Sequence, residues 1–199
     1  MKIRPFAAAL TVAFSLSLAP AGAALNWVPF AASNDGFTAL FPGAPAIAPH
    51  PTDATVDGVY RIYEVDVRSS AYTITIFRYK PGTASAGDVA TYQRLRDAYA
   101  KGSGCKVAST TRRTIAGSPG LESLCLDKKG KIDHLIDIVL SGDQLAMIIS
   151  AGPTGFTKDP SAIAFRNGFA FAPVVTPSPA PVAPAAHASE MPSQSTATP

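Results

Sequence analysis

His134 stands between Asp133 and Asp137, residue types that can ligate a metal ion or move a proton. Their spacing works against convergence. On a strand over residues 131–140, Asp133 and Asp137 share one face. His134 then points the other way, with Ile132, Ile136 and Ile138. His50 is a second weak ligand candidate, on a proline-containing stretch. A lone histidine more often serves as a core or rim residue with a hydrogen-bond partner than as a ligand. No metal site and no cofactor are therefore expected. Two same-face carboxylate pairs, Glu64 with Asp66 and Asp133 with Asp137, invite comparison with glycoside chemistry. No aromatic subsite pattern accompanies either pair, and both are expected on a solvated side of a sheet. Ser118 lies in Ala116-Gly117-Ser118-Pro119-Gly120, which lacks the first glycine of the G-x-S-x-G elbow. Gly102-Ser103-Gly104 follows a helix and precedes a strand, the reverse of what a phosphate cradle needs. No catalytic residue is assigned.

Two residues carry redox potential. Cys105 and Cys125 are the only cysteines, separated by 20 positions and outside any C-x-x-C pattern. A disulfide staple is expected if the chain is exported. Simple pairing across a turn at 117–120 sets Cys125 opposite Arg112. Cys105 would then lie about seven residues away, roughly 23 Å at strand rise. A bridge requires the chain to bend or bulge before Arg112. The same hairpin gathers Lys101, Lys106, Lys128, Lys129 and Lys131 at one sheet edge. Such a patch suits an anionic partner, and equally a solubilising turn with edge lysines that block aggregation.

The elements that position these residues read as α+β. Strands are expected over 37–41, 59–67, 71–79, 106–115, 121–127, 131–140 and 144–151, a sheet of about six to seven antiparallel strands. Residues 59–67 and 71–79 form a hairpin, with bulky residues on both faces. Pro42-Gly43-Ala44-Pro45 ends the first strand, and a loop is expected from there to Asp57. A mid-chain helix over 89–101 is capped by Ser85 or Asp88, and a short helix covers 161–168. Phe169 and Phe171 close the core. Strand runs broken by one central and one terminal helix disfavour βαβ architectures.

Trp27, Phe30, Asp35-Gly36-Phe37 and Phe41-Pro42-Gly43-Ala44-Pro45 resemble the start of a group of small secreted bacterial domains. Gly117-x-Pro119-Gly120-x-Glu122, Gly142-Asp143-Gln144-Leu145, and Gly152-Pro153 followed by Phe165 and Phe169 fit the same pattern. The architecture of that group resembles the PsbP-like fold, an antiparallel sheet covered by helices. The resemblance spans nearly all of residues 25–171. It implies a fold and an export route, and supplies no ligand or catalytic residues.

Domain organisation follows from composition. Residues 1–24 read as a signal peptide. Lys2 and Arg4 precede an uncharged run over 6–18, and Ala21-x-Ala23 predicts cleavage after Ala23 or Ala24. Residues 25–172 make one domain. Residues 173–199, with seven prolines and one charge, make a Pro/Ala-rich disordered tail. The whole chain of 199 residues has 17 basic and 14 acidic side chains, and losing Lys2 and Arg4 leaves a net charge of +1. That balance, in an exported domain, argues against nucleic acid as a partner. No mature segment is apolar enough to span a bilayer. The expected function is an exported, non-catalytic accessory or binding module of the cell envelope, periplasmic or secreted. It would engage an anionic envelope component or a protein partner. A periplasmic small-ligand or metal binder using His50 and His134, and a small enzyme of unrecognised type, are the alternatives.

Overall fold

Short turns between apolar-alternating runs leave this chain little choice but an antiparallel sheet. The computed structural model describes residues 25–51, 59–83, 85 and 87–173. The expected signal peptide, loop residues 52–57 and the tail from 174 onward lie outside the described residues. The strands are β1 (Val28–Ala32), β2 (Phe37–Phe41), β3 (Ala46–Pro51), β4 (Val59–Val67), β5 (Ser70–Arg78), β6 (Cys105–Ile115), β7 (Ser118–Asp127), β8 (Ile132–Ser141), β9 (Gln144–Pro153) and β10 (Ala170–Phe171). The helices are α1 (Val89–Ser103) and α2 (Pro160–Asn167). Seven strands form one sheet in the order β3-β4-β5-β9-β8-β7-β6, and β1-β2-β10 form a second. The fold is α+β, as expected.

Two expectations change. The stretch from 46 to 51 is not loop but the edge strand β3, paired with β4 from Ala46↔Glu64 to Pro51↔Val59. Its prolines misled because they lack a donor, yet an edge strand tolerates that. The small second sheet was also unforeseen, since β10 is only two residues long and joins β2 from far along the chain.

Both faces of the large sheet are covered. On one, α1 seals a core that includes Tyr92, Leu121, Cys125, Ile136, Ile138 and Leu140. Asp88 caps α1, its Oδ1 accepting from the amides of Ala90 and Thr91 at 3.1 and 3.3 Å. Gly104, at φ 70°, ends it in the left-handed region that glycine enters without strain. On the other face the small sheet and α2 bury Phe37, Phe41, Tyr72, Ile74, Phe165 and Phe169. Aromatic edges interlock there: the Phe37 and Tyr63 centroids are 4.9 Å apart, and Phe41 and Phe165 are 5.3 Å apart.

The β6–β7 turn is Ala116-Gly117, not residues 117–120. Both have positive φ, 48° and 81°, as a two-residue type I′ hairpin demands. Ser118, Pro119 and Gly120 therefore belong to β7, and Cys125 pairs with Val107 rather than Arg112. One extra residue between Val107 and Ser109 forms a bulge. Its effect is one of parity. Without it Cys125 would oppose Ala108, and Cys105 would project from the other face. With it Cys105 and Cys125 become diagonal neighbours on one face, with Cα atoms 5.7 Å apart, and they form a disulfide.

Ala116 carries a left-handed cost that asparagine or glycine would reduce. Ala116→Asn should raise the unfolding free energy by about 0.5–1 kcal/mol, measured by denaturant titration.

Candidate functional site

The five lysines all stand exposed toward the end of the sheet where β7 turns into β8. Lys101 lies in the last turn of α1, and Lys128, Lys129 and Lys131 lie in the turn itself. That turn is firmly held. Asp127 Oδ1 accepts from the amides of Lys131 and Ile132, at 2.5 and 3.1 Å. The Thr154 hydroxyl donates to the Gly130 carbonyl at 2.7 Å, and the Thr154 amide donates to Lys131 O. Lys106 needs a correction. It pairs with Leu126, between Cys105 and Val107, which both pack toward α1. Alternation sends its side chain to the opposite face from Lys101. The patch is thus an end of the sheet seen from both sides, not one flat edge. Among the described residues, none of these lysines joins a salt bridge.

His134 projects on the α1 face, opposite to Asp133 and Asp137, as its alternation required. Its Nδ1 lies 2.9 Å from the Tyr99 hydroxyl, and burial pushes its pKa below the ordinary imidazole value. Burial likewise raises the Tyr99 phenol, with the Glu64 charge adding to the effect. His50 stacks on Tyr60, with centroids 5.0 Å apart. Three strands separate β3 from β8, a gap of roughly 19 Å at ordinary strand spacing. The structure does not bring the two histidines together. Among the described residues, no three His, Cys, Asp or Glu side chains gather as a metal ion would need.

The carboxylates depart furthest from expectation. Asp133 and Asp137 do not face solvent; both are buried beneath α2 and the loop before it. Asp133 Oδ2 accepts from the Gly155 amide at 2.6 Å. Asp137 is 1 % exposed, and neither of its oxygens has a hydrogen-bond partner. Directly across the β7–β8 ladder stands Glu122. Its Oε2 accepts from Nη1 of Arg113 on β6 and from Nη1 of Arg166 on α2, both at 2.5 Å. Arg166 Nε lies 3.8 Å from Asp137 Oδ2, too far for a hydrogen bond. Burial pushes the Asp137 carboxyl up to about 7; Arg166 and Arg113 pull it down and Glu122 pushes it further up. The cluster fastens α2 to the sheet and can hold a proton near neutral pH. Period-two alternation assigned Asp137 to its face correctly. The missed signal was its bracketing by Leu135 and Val139 on that face, which marks the face as covered.

A second, partly buried ion pair fastens the small sheet. Asp35 accepts from Arg61 Nη1 at 2.5 Å and from the Tyr63 hydroxyl. The Gln144 amide donates to the Asp35 carbonyl. These contacts join the Ser33–Asp35 turn to β4 and β9, and their arrangement is structural.

No family model matches the chain, and no curated protein matches it. Among solved structures it is similar to cyanobacterial PsbP from Synechocystis, at 14% identity and a TM-score of 0.47, over 78% of this chain and 98% of that one. It is also similar to LpqN, a protein involved in cell envelope biogenesis of Mycobacterium tuberculosis, at 12% identity and a TM-score of 0.41, over 74% and 91% of the two chains. A Pseudomonas aeruginosa protein of unknown function follows at 14% identity and a TM-score of 0.35, over 69% and 99%. The likeness is one of fold alone, and PsbP-like domains are again what the chain is similar to.

Proposed function

We propose that this protein is an exported, non-catalytic binding module of the cell envelope that meets an anionic envelope component through its lysine-bearing end. Residues 1–24 are removed on export, residues 25–172 form the working domain, and 173–199 form its tail. The Cys105–Cys125 disulfide supports an oxidising compartment. The observation that carries the binding reading is the state of the charges around the β7–β8 turn. The nearby carboxylates of Asp127 and Asp133 are committed to main-chain amides. The lysine ammonium groups stay exposed and outside salt bridges among the described residues. Such a turn offers fixed positive charge at no cost in broken internal pairs.

The test is cosedimentation of the mature protein with phosphatidylglycerol-containing or pure phosphatidylcholine vesicles, and retention on an acidic polysaccharide such as polygalacturonate. Binding to at least one anionic probe, weakening as salt rises, is expected. Changing Lys128, Lys129 and Lys131 together to Glu should weaken it by about 100-fold or more, since each lysine near an anionic surface is worth about 1 kcal/mol. Retention by neither anionic probe at low salt overturns the proposal.

A further inference from the structure

The two edges of the large sheet are treated differently by the sequence. The β3 edge is short and carries prolines at 49 and 51, which lack a donor and discourage further pairing. The opposite edge, β6, is 11 residues long with no proline. Residues 108–112 of it are exposed on both faces. Among the described residues, no strand lies beyond β6.

The turn fixes which main-chain groups that edge offers. Ile115 and Ser118 flank the two-residue turn and form the closing hydrogen-bonded pair. Antiparallel alternation then makes Arg113↔Gly120 and Thr111↔Glu122 bonded pairs. Thr114, Arg112 and Thr110 sit at non-bonded positions, so their N–H and C=O groups point away from β7. Pro119 agrees with this assignment. It opposes Thr114, and its carbonyl turns away from β6 to accept from the Tyr92 hydroxyl at 3.2 Å. The edge is also held rigid, by the disulfide at one end and the tight turn at the other.

Charge selects the occupant. Arg112 stands among the outward-facing positions of β6 and joins no salt bridge among the described residues. Lys106 lies further along the same strand, and Glu122, across from Thr111, is already taken by Arg113 and Arg166. We infer that β6 accepts an additional strand from an extended acidic polypeptide, through the main-chain groups of Thr110, Arg112 and Thr114. Main-chain pairing supplies affinity and the basic side chains select acidic sequence. A second copy of this chain fits less well, because it would bring another basic edge. The inference rests on the binding-module reading but uses different residues from the lysine turn, so the two can fail separately.

The probe is a short capped peptide alternating glutamate with threonine and valine, added to the mature protein and followed by amide-resolved NMR hydrogen exchange. Slowing of exchange by about tenfold or more is expected at the Thr110, Arg112 and Thr114 amides, with Thr111 and Arg113 little changed. Arg112→Pro removes an outward N–H without touching the β6–β7 ladder and should abolish binding. Arg112→Gln keeps the N–H and should weaken binding by about fivefold, the worth of one exposed ion pair. Equal losses in the two variants, or peptide binding without protection of those amides, overturns the inference. The triple change at Lys128, Lys129 and Lys131 should leave the protection pattern in place. Loss of that pattern would place the peptide on the lysine turn and overturn the assignment to β6.

Discussion

Raising the pH from about 5 to about 8 should destabilise this protein, and Asp137→Asn should remove most of that dependence. In the unfolded chain Asp137 ionises near its ordinary value of 3.8, whereas in the fold its carboxyl holds its proton up to about 7. Between those values the folded state binds more protons than the unfolded one, so stability falls as pH rises and levels off above about 7. Roughly three pH units at ~1.4 kcal/mol each set a scale of ~4 kcal/mol for the full penalty. Burial is the leading cause, since Asp137 is 1 % exposed with two unpartnered oxygens. Every charge that faces it belongs to the same cluster: Glu122 from β7, Arg113 from β6 and Arg166 from α2. Two other groups titrate nearby in pH. Glu64 is raised by burial and acts in the same direction as Asp137. His134 is lowered by burial and acts oppositely, costing stability as pH falls below the ordinary imidazole value. The informative quantity is therefore the difference between Asp137→Asn and the unaltered protein, from denaturant titrations across that range. It should grow by about 3 kcal/mol in favour of the variant between about pH 5 and about pH 8, the remainder of the penalty having already accrued below about pH 5. A difference that stays flat with pH would show that Asp137 is ionised throughout. Arg166→Met should move the midpoint upward, because Arg166 opposes the effect of burial.

That cluster marks the boundary of what the sequence made legible. Alternation gave the face of every residue on β8, because period two needs no knowledge of neighbours. It separated His134 from Asp133 and Asp137 correctly. Leu135 and Val139 beside Asp137 mark the aspartate face as apolar, but alternation could not name its cover, which comes from α2 and from a small sheet assembled out of β1, β2 and β10. Those pairings join Phe37 to Phe171 and Thr38 to Ala170, contacts that no local pattern announces. The disulfide shows the same boundary. Export chemistry predicted the bond, but the strand arithmetic that called for a bend or bulge before Arg112 set Cys125 opposite Arg112, and the turn at Ala116-Gly117 removes most of that gap. The position of the bulge, and the turn at Ala116-Gly117, required the fold. Pro119 and Gly120 read as turn residues, yet both lie within β7. A proline inside a strand with neighbours on both sides calls for a particular accommodation, and α1 supplies it.

Tyr92→Phe should cost about 2 kcal/mol, more than loss of one exposed hydroxyl would, because that hydroxyl completes the sheet beside Pro119. Pro119 has no amide to offer β8, and regular pairing of β7 with β8 begins only at Gly120↔Val139. The Tyr92 hydroxyl enters the gap. It accepts from the Leu140 amide at 3.0 Å and from the Gly87 amide at 3.1 Å, and donates to the Pro119 carbonyl at 3.2 Å. The side chain is 1 % exposed, so phenylalanine fills the same space and leaves the buried Leu140 amide without its partner. Leaving a buried donor or acceptor unsatisfied costs about 1–3 kcal/mol each, and relaxation recovers part of it. Denaturant titration reads the loss, and faster exchange at the Leu140 amide locates it. Pro119→Ala offers a stricter check. It restores an amide at 119, so that β7 and β8 can pair directly where the hydroxyl now mediates. Pro119→Ala should therefore cost less in the Tyr92→Phe background than in the unaltered protein, a favourable coupling of about 1 kcal/mol in the double-mutant cycle. Strict additivity of the two changes would mean that the hydroxyl and the proline act independently, and that α1 docks on the sheet by apolar contact alone.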